Sequence, residues 1–248
     1  MDVKALRQDW DAFGKADALW AILTLPGKRR GKWDVQEFFE SGKKEVDALM
    51  QDQLLPSSVS RGKALDFGCG VGRLTQALAG YFDQVYGVDV APSMIELARR
   101  YNRHGDKCRY YLNDRASLLL FDDNSFDLIY SAITLQHIDP ADSRNYIAEF
   151  LRTLAPGGLL VFQIPSVPRR YLRARIKHAI ATRLLWVFRR VGYPQRPIMT
   201  MHGIKREEVE NLLRESGAQI IDVREDSSAG EDWLSFRYFA RKPCPQDR

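Results

Sequence analysis

Short apolar runs alternate with longer amphipathic segments along the chain from residue 63 onward. The short runs are rich in Val, Ile, Leu, Tyr and Phe, which predicts buried strands at 63–67, 84–90, 108–114, 126–133 and 157–165. Between them, apolar residues recur every three to four positions, which predicts helices at 73–82, 92–104 and 141–154. Strands and helices in strict alternation predict βαβ units, and therefore a parallel sheet with helices on both faces.

The pattern changes towards the carboxyl terminus. A helix is predicted over 204–217, where Gly217 suits the position just after the last turn. Two strands follow at 218–226 and 233–242, and the polar turn between them is too short for a crossover helix. The chain is therefore predicted to be an α/β protein in which parallel strands are followed by an antiparallel hairpin.

The chain length of 248 residues favours one elaborated α/β domain. Four segments are predicted within it. Residues 1–60 form an N-terminal helical cap or lid, 61–165 form the ligand-binding core, 166–200 form a basic helical insertion, and 201–242 complete the core with the last helix and the hairpin. The first segment contains aromatic residues that either close a pocket or belong to the core: Trp20, Trp33 and Phe38.

Positive charge is concentrated in the insertion. The whole chain carries 37 Lys and Arg against 32 Asp and Glu, and this net charge of +5 excludes little by itself. From Phe150 to Arg206, however, no acidic residue occurs, and within the segment bounded by Pro168 and Pro197 apolar positions at helical spacing run from Leu172 to Val191. Such a basic amphipathic helix packs on the core or on a second copy in a homodimer, lies on an anionic membrane or a lipid substrate, or holds nucleic acid. Nucleic acid is the least favoured partner, because the aromatic residues adjoin the apolar stripe.

The cysteines Cys69, Cys108 and Cys244 form no CxxC pair, which favours reduced thiols and excludes a cysteine-ligated metal site. His137 and Asp139 supply too few ligands for a metal ion, so none is expected. The first residues lack the apolar run of a secretory signal, and no apolar window is long enough to span a membrane. A cytoplasmic location is therefore expected.

A glycine-rich loop follows the first predicted strand, with glycines at 68, 70 and 72. Glycines at a strand-to-helix turn let the backbone approach a ligand closely. The dinucleotide-binding fingerprint would need a glycine at Arg73, which weighs against a nicotinamide oxidoreductase. Asp66 stands two residues before Gly68, and its charge suits a ligand with an ammonium group better than a pyrophosphate.

Two further acids end predicted strands. Asp89 ends the second strand, 23 residues after Asp66, where a carboxylate can accept two hydrogen bonds from a ribose diol; a helix cap is its alternative role. Asp114 ends the third strand, where it either faces an adenine amino group or caps a turn; a neighbouring residue is the alternative for the adenine contact, because the sequence does not fix the loop length. Together, the glycine loop and Asp89 favour a nucleoside ligand.

These motifs resemble those of the class I S-adenosylmethionine-dependent methyltransferases, and more narrowly the small-molecule group called methyltransferase type 11. The resemblance rests on DFGCGVG, VDVAPSMIELA, NSFDLIYSAITLQHI and LAPGGLLVFQIP, and it covers residues 61–165 closely. It implies a Rossmann-like fold with a seven-stranded, mainly parallel sheet and an antiparallel C-terminal hairpin. It also implies that S-adenosylmethionine binds over the carboxyl ends of the strands.

The resemblance further implies which residues surround the cofactor and its product, S-adenosylhomocysteine. By position they are Asp66, Gly68, Cys69 and Gly70 at the methionine portion, Asp89 at the ribose, Val90 and Met94 beside the adenine, Asp114 and Arg115 at the adenine edge, and Ser131 near the methionyl group.

Methyl transfer from a sulfonium is an in-line displacement, so alignment and exclusion of water matter most. A base is needed when the acceptor must lose a proton, as a hydroxyl does. His137, just after the fourth strand, is the candidate catalytic base, and packing beside the cofactor is its alternative role.

The residues after the fourth strand bear on the acceptor. The stretch from Ser131 to Thr134 lacks the Asn/Asp-Pro-Pro-aromatic turn typical of enzymes that methylate amino groups in macromolecules. The sequence therefore predicts a methyltransferase acting on a small molecule, with oxygen as the preferred acceptor atom and a lipid-like or glycosylated metabolite as substrate. The alternatives are a tRNA or rRNA methyltransferase that uses the basic insertion, and a non-catalytic scaffold that only binds S-adenosylmethionine.

Overall fold

The computed structural model describes residues 3–53, 59–169 and 197–244. These residues contain one sheet, built from strands β1 (Lys63–Phe67), β2 (Gln84–Asp89), β3 (Cys108–Leu112), β4 (Phe126–Ser131), β5 (Leu154–Pro168), β6 (Gln219–Glu225) and β7 (Trp233–Arg241). Their order across the sheet is β3-β2-β1-β4-β5-β7-β6.

Strands β1 to β5 run parallel to one another, whereas β7 lies between β5 and β6 and is antiparallel to both. The turn from β6 to β7 is short, so β7 has to return antiparallel beside β6. β5 is longer than predicted, because Leu154 already pairs with Phe126 of β4 and Pro168 still pairs with Trp233 of β7. The predicted fold class, including the antiparallel hairpin, is confirmed.

Helices cover both faces of the sheet: α1 (Val3–Ile22), α2 (Val35–Met50), α3 (Arg73–Leu78), α4 (Pro92–Tyr101), α5 (Pro140–Thr153) and α6 (Arg206–Glu215). Helices α5 and α6 pack in one apolar cluster, and α2, α3 and α4 pack in another. Alternate strand residues divide between the two clusters; along β4, Ile129 belongs to the first and Leu128 and Tyr130 belong to the second. Strands buried on both faces explain why the sequence shows nearly continuous apolar runs.

Helix α1 crosses α4 at close range. A Cβ at Gly14 would lie 2.2 Å from Oγ of Ser93, so glycine is what allows the approach. The amide of Ser93 donates to Oδ1 of Asp11, and the hydroxyl of Ser93 donates to the main-chain oxygen of Asp11, each at 2.9 Å. The helix bends at Asp17, whose backbone is not helical. The bend therefore lets the two halves of α1 pack against different parts of the core.

The aromatic residues of the first sixty positions mostly build the core. Trp33 and Phe38 are buried and meet edge to face, with ring centroids 5.4 Å apart. Trp20 packs under the guanidinium of Arg29. Asp34 caps the start of helix α2, and its Oδ1 accepts a hydrogen bond from the amide of Glu37 at 2.8 Å. The division of the chain into a lid, a core and an insertion stays a prediction.

Most of the predicted basic insertion, residues 170–196, lies outside the described residues, and its role stays a prediction. Where the chain resumes, Gly217 follows α6 with a positive φ of 79°, as predicted for the residue after the last helical turn. No helix in the described ranges has the length and apolar character needed to cross a membrane.

Candidate active site

A cavity lies at the carboxyl ends of β1, β2 and β4 and is lined on one side by α1. Seven of the predicted site residues line it: Gly68, Cys69, Gly70, Asp89, Val90, Met94 and His137. Four predicted residues do not: Asp66, Asp114, Arg115 and Ser131. The structure therefore brings the glycine loop, the end of β2 and the turn after β4 together around one space.

The loop after β1 needs glycine for its conformation and for space. Gly68 and Gly70 have φ values of +76° and +52°, in the left-handed region. A Cβ at Gly68 would lie 2.2 Å from the side chain of Thr134, and one at Gly70 would lie 2.5 Å from Cδ1 of Ile22. The amide of Gly68 donates to the oxygen of Val88 at 2.9 Å, which fixes the loop against β2. The backbone of the loop thus forms part of the cavity wall.

Asp89 is held in place by main-chain amides. Its Oδ2 accepts from the amide of Gly70 and its Oδ1 from the amide of Ala91, both at 2.9 Å. Burial raises the pKa of this carboxyl group, and the amide hydrogen bonds oppose that shift. Each carboxylate oxygen keeps a lone pair for a further hydrogen bond, so capping the Ala91 amide is compatible with binding a diol.

Asp66 lies beneath the loop. Asp66 is 1% exposed, and its Oδ2 accepts a hydrogen bond from Oγ1 of Thr75 at 2.6 Å. Burial raises the pKa of the carboxyl group to about 7, against the opposing effects of the Thr75 hydroxyl and the nearby charge of Arg73. A cationic group bound above the loop would favour the ionised form. Asp66 is thus placed to act through charge, and its contact with an ammonium group stays a prediction.

The residue that enters the cavity after β3 is Asn113, which the sequence reasoning did not single out. Asn113 is buried and is held by hydrogen bonds from its Nδ2 to the oxygen of Ser117 at 3.0 Å and to the hydroxyl of Tyr146 at 3.4 Å. The side chain of Asp114 is 55% exposed and lies 3.4 Å from Nη1 of Arg7. The strand ends one residue before Asn113, so the first loop residue turns inward and the next turns outward.

Two other predicted residues, Ser131 and Cys69, contribute to the structure around the cavity. Ser131 is buried, and its hydroxyl donates to the oxygen of Phe67 at 3.1 Å, which ties the end of β4 to the end of β1. Cys69 lines the cavity, but burial together with Asp89 and Asp66 raises the pKa of its thiol well above the usual range. A protonated thiol is a poor nucleophile, so Cys69 is a packing residue.

His137 lines the cavity with both ring nitrogens engaged. Its Nδ1 donates to the main-chain oxygen of Thr200 at 2.6 Å, and its Nε2 lies 3.1 Å from the side-chain nitrogen of Gln136. The ring of Trp10 meets the imidazole edge-on at 5.0 Å. Burial lowers the pKa of His137 to about 4, so the imidazole is neutral at pH 7. Because its pKa is low and both of its nitrogens have hydrogen-bond partners, the ring fits a positioning role better than that of a general base.

The α1 side of the cavity is apolar and is formed by Val3, Leu6, Trp10 and Ile22. The first three recur at helical spacing, which indicates one face of a helix. The spacing does not indicate which surface this face covers. The sequence therefore predicts a lid in this segment but does not identify these four residues as its lining. Trp20, Trp33 and Phe38, which it did propose for the lid, lie away from the cavity.

Within the described ranges, no group of three or more His, Cys, Asp or Glu side chains is arranged to hold a metal ion. The residues around the cavity do fit a nucleoside with an amino-acid tail: a carboxylate at the end of β2, an amide after β3, and a glycine loop over a buried acid.

Comparison with protein families matches residues 65–162 to the family described as a methyltransferase domain. Residues 65–162 therefore carry a methyltransferase domain of this family. The match spans the glycine loop, Asp89, Asn113, the turn after β4 and most of β5. It confirms the predicted resemblance over these residues, and domains of this family use S-adenosylmethionine as the methyl donor.

Relatives of this domain are named as methyltransferases. The chain is 28% identical to the O-methyltransferase cnsE of Penicillium expansum, over 78% of this chain and 65% of that protein. It is 34% identical to a demethylmenaquinone methyltransferase of Clavibacter sepedonicus, over 44% of this chain and 45% of that protein. The chain thus spans less than two thirds of the length of either relative.

Among solved structures, the chain resembles the magnesium protoporphyrin IX methyltransferase of Synechocystis PCC 6803, crystallised with bound SAH. The TM-score is 0.65 at 18% sequence identity, over 98% of this chain and 100% of the other. At this level of identity, the likeness concerns the fold of the methyltransferase domain alone.

Proposed function

We propose that this protein transfers a methyl group from S-adenosylmethionine to a small-molecule acceptor. The observation that carries the proposal is the position of Asp89, a carboxylate fixed by two amides at the cavity edge. When bound, the cofactor supplies an activated methyl group on a sulfonium. The protein has mainly to hold the donor, align it with the acceptor and exclude water.

The proposed roles of the residues follow from their places in the cavity wall. Asp89 accepts hydrogen bonds from the ribose diol, and Val90 and Met94 contact the adenine. Asn113, in the place first expected for Asp114, offers its side-chain oxygen at the adenine edge, since its nitrogen is bonded within the protein. Beneath the glycine loop, Asp66 favours the ammonium group of the methionine portion.

We further propose oxygen as the acceptor atom and an apolar, lipid-like molecule as the substrate. The supporting observations are the apolar face of α1 at the cavity and relatives named as an O-methyltransferase and a demethylmenaquinone methyltransferase. In this proposal, His137 stays neutral and positions the residues around it. A different group or solvent accepts the proton that the acceptor loses. The membrane contact, the homodimer and the cytoplasmic location stay predictions.

The test is a transfer assay with methyl-labelled S-adenosylmethionine in a cell extract, comparing the wild type with Asp89→Ala. After the reaction, the label is divided among organic-extractable, aqueous small-molecule and acid-precipitable fractions. We expect enzyme-dependent label in the organic fraction and its loss in Asp89→Ala.

Each other outcome has a defined meaning. Label that nuclease releases from the precipitate would replace the small-molecule acceptor by RNA. Binding of S-adenosylhomocysteine without label in any fraction would favour a scaffold that binds the cofactor and transfers nothing.

A further inference from the structure

The turn after β4 contains a residue in an unfavourable backbone conformation. Ile133 has a φ of +57°, in the left-handed region. For a β-branched residue this conformation is a genuine outlier, because the branched Cβ crowds the backbone. Ile133 and its neighbours Ala132 and Thr134 line the cavity. Such a conformation persists only where surrounding contacts enforce it, and these positions concentrate at functional sites.

The contact that enforces it comes from the centre of β5. Gln163 is 0% exposed, and its side-chain oxygen accepts a hydrogen bond from the amide of Ile133 at 3.0 Å. The side-chain nitrogen of Gln163 donates to Oγ of Ser235 at 2.6 Å and faces the amide oxygen of Gln136 at 3.4 Å. With both ends of its amide bonded, Gln163 has one fixed orientation, and its oxygen is always directed at the turn.

The conformation of the turn decides what faces the glycine loop. The hydroxyl of Thr134 donates to the oxygen of Ala132 at 3.1 Å, which closes the turn on itself. The Thr134 side chain then lies where a Cβ on Gly68 would meet it at 2.2 Å. Because Thr134 follows Ile133 directly, a different backbone conformation at Ile133 would change the position of Thr134 and, with it, the wall of the cavity between β1 and β4.

We infer that Gln163 is a positioning residue for methyl transfer: its buried amide oxygen holds Ile133 in the left-handed conformation and so sets the cavity wall beside the glycine loop. The inference rests on the proposed function, because the wall matters only if the donor lies against it. Gln163 does not line the cavity, so it acts through the residues that it holds, and its hydrogen bond to Ile133 is shorter than its contact with Gln136.

The experiment is a double-mutant cycle with Gln163→Leu and Ile133→Gly. Leucine keeps the size of the side chain and removes the hydrogen bond, whereas glycine adopts the left-handed conformation without help. Calorimetric titration with S-adenosylhomocysteine measures binding, and hydrogen exchange measures protection of the amides of residues 132–136. The matched control is Thr153→Val, which removes a buried hydroxyl that bonds only within α5.

We expect Gln163→Leu to weaken binding of S-adenosylhomocysteine about tenfold and to speed exchange in the turn, while Thr153→Val does neither. In the Ile133→Gly background, which itself loses a side-chain contact, Gln163→Leu should weaken binding by less than about twofold. A residue that only stabilises the fold would show the same loss in both backgrounds.

Equal losses in the two backgrounds, or unchanged exchange in Gln163→Leu, would overturn the inference. Failure of the wild type to bind S-adenosylhomocysteine would instead contradict the proposed function. The exchange data would still show in that case whether Gln163 holds the turn.

Discussion

The two walls of the cavity are built in different ways. On the loop wall, formed by the glycine loop and Asp89, main-chain amides and a carboxylate are linked by hydrogen bonds of 2.9 Å. On the cap wall, formed by Val3, Leu6, Trp10 and Ile22 of α1, every lining side chain is apolar. Directional bonds fix the orientation of a ligand, whereas apolar contacts exclude water and tolerate variation in shape.

Under the proposed function, this difference separates two tasks of the protein. The loop wall has to recognise the same donor in every turnover, so its geometry allows little change. The cap wall has to cover the donor and exclude water, and the two hydrogen bonds between Asp11 and Ser93 hold it against α4. Substitutions in the two walls should therefore differ in the size and in the kind of their effects.

The largest effect is expected from Gly68→Ala in the loop wall. The new Cβ would lie 2.2 Å from Thr134 in a backbone conformation with φ of +76°, so the loop or the turn has to move. We expect binding of S-adenosylhomocysteine, measured by calorimetry, to weaken by about 100-fold. Gly27→Ala is the control, because Gly27 has a φ of +79° with nothing near its Cβ. That variant should lose only about 1 kcal/mol of stability and none of the binding.

A pH-dependent effect is expected beneath the loop wall, from Asp66→Asn. The folded pKa of Asp66 is about 7, above its unfolded value of 3.8, so the folded protein holds the proton more tightly between these values. The wild type therefore loses stability as pH rises towards 7, and Asp66→Asn should lack this loss. At pH 8 the variant should be more stable to urea by roughly 2 kcal/mol.

The same variant should bind S-adenosylhomocysteine less tightly, because the ammonium group loses its buried counter-charge. A variant with unchanged binding would remove Asp66 from the site, whereas lower stability at pH 8 would contradict the raised pKa. Urea unfolding at pH 5 and pH 8 together with calorimetry decides both points.

A smaller effect is expected from Trp10→Ala in the cap wall. The ring of Trp10 covers His137 at 5.0 Å and lines the cavity, so its removal admits water without disturbing the loop. We expect binding of S-adenosylhomocysteine to weaken about five- to tenfold, with a larger loss in the rate of transfer. Trp20→Ala, in the same helix but away from the cavity, should leave binding unchanged; equal losses in the two variants would show that α1 contributes only stability.

The smallest effect is expected from Asp114→Ala, compared with its neighbour Asn113→Ala. Asn113 is buried in the cavity wall, whereas Asp114 lies in a largely exposed ion pair with Arg7. Binding of S-adenosylhomocysteine should weaken about tenfold in Asn113→Ala and less than about twofold in Asp114→Ala. The reverse order would restore Asp114 as the residue at the adenine edge.

The sequence was sufficient to predict the sheet, the hairpin and the loop wall. Apolar runs identify strands because both faces of this sheet are covered, and the glycines and Asp89 act within one short segment of chain. The place of Asn113 was missed because it depends on the residue at which β3 ends, and a shift of one residue reverses inward and outward positions.

Other features depend on contacts between distant segments. The spacing of Leu6 and Trp10 predicts an apolar helix face but not the surface that it covers. The left-handed conformation of Ile133 has no local cause, since its amide is bound by Gln163, 30 residues along the chain. Trp33 and Phe38 were proposed for a lid because aromatic residues suit both a lid and a core, and burial in the tertiary structure places them in the core.

The central claim is that the end of β2 holds the ribose of the donor. Calorimetric titration with S-adenosylhomocysteine of the wild type, Asp89→Ala and Asp83→Ala tests it directly, since Asp83 is an exposed acid at the opposite end of the same strand. We expect Asp89→Ala to weaken binding by about 100-fold and Asp83→Ala to bind like the wild type. Equal binding by all three proteins, with the folded state preserved, would contradict it.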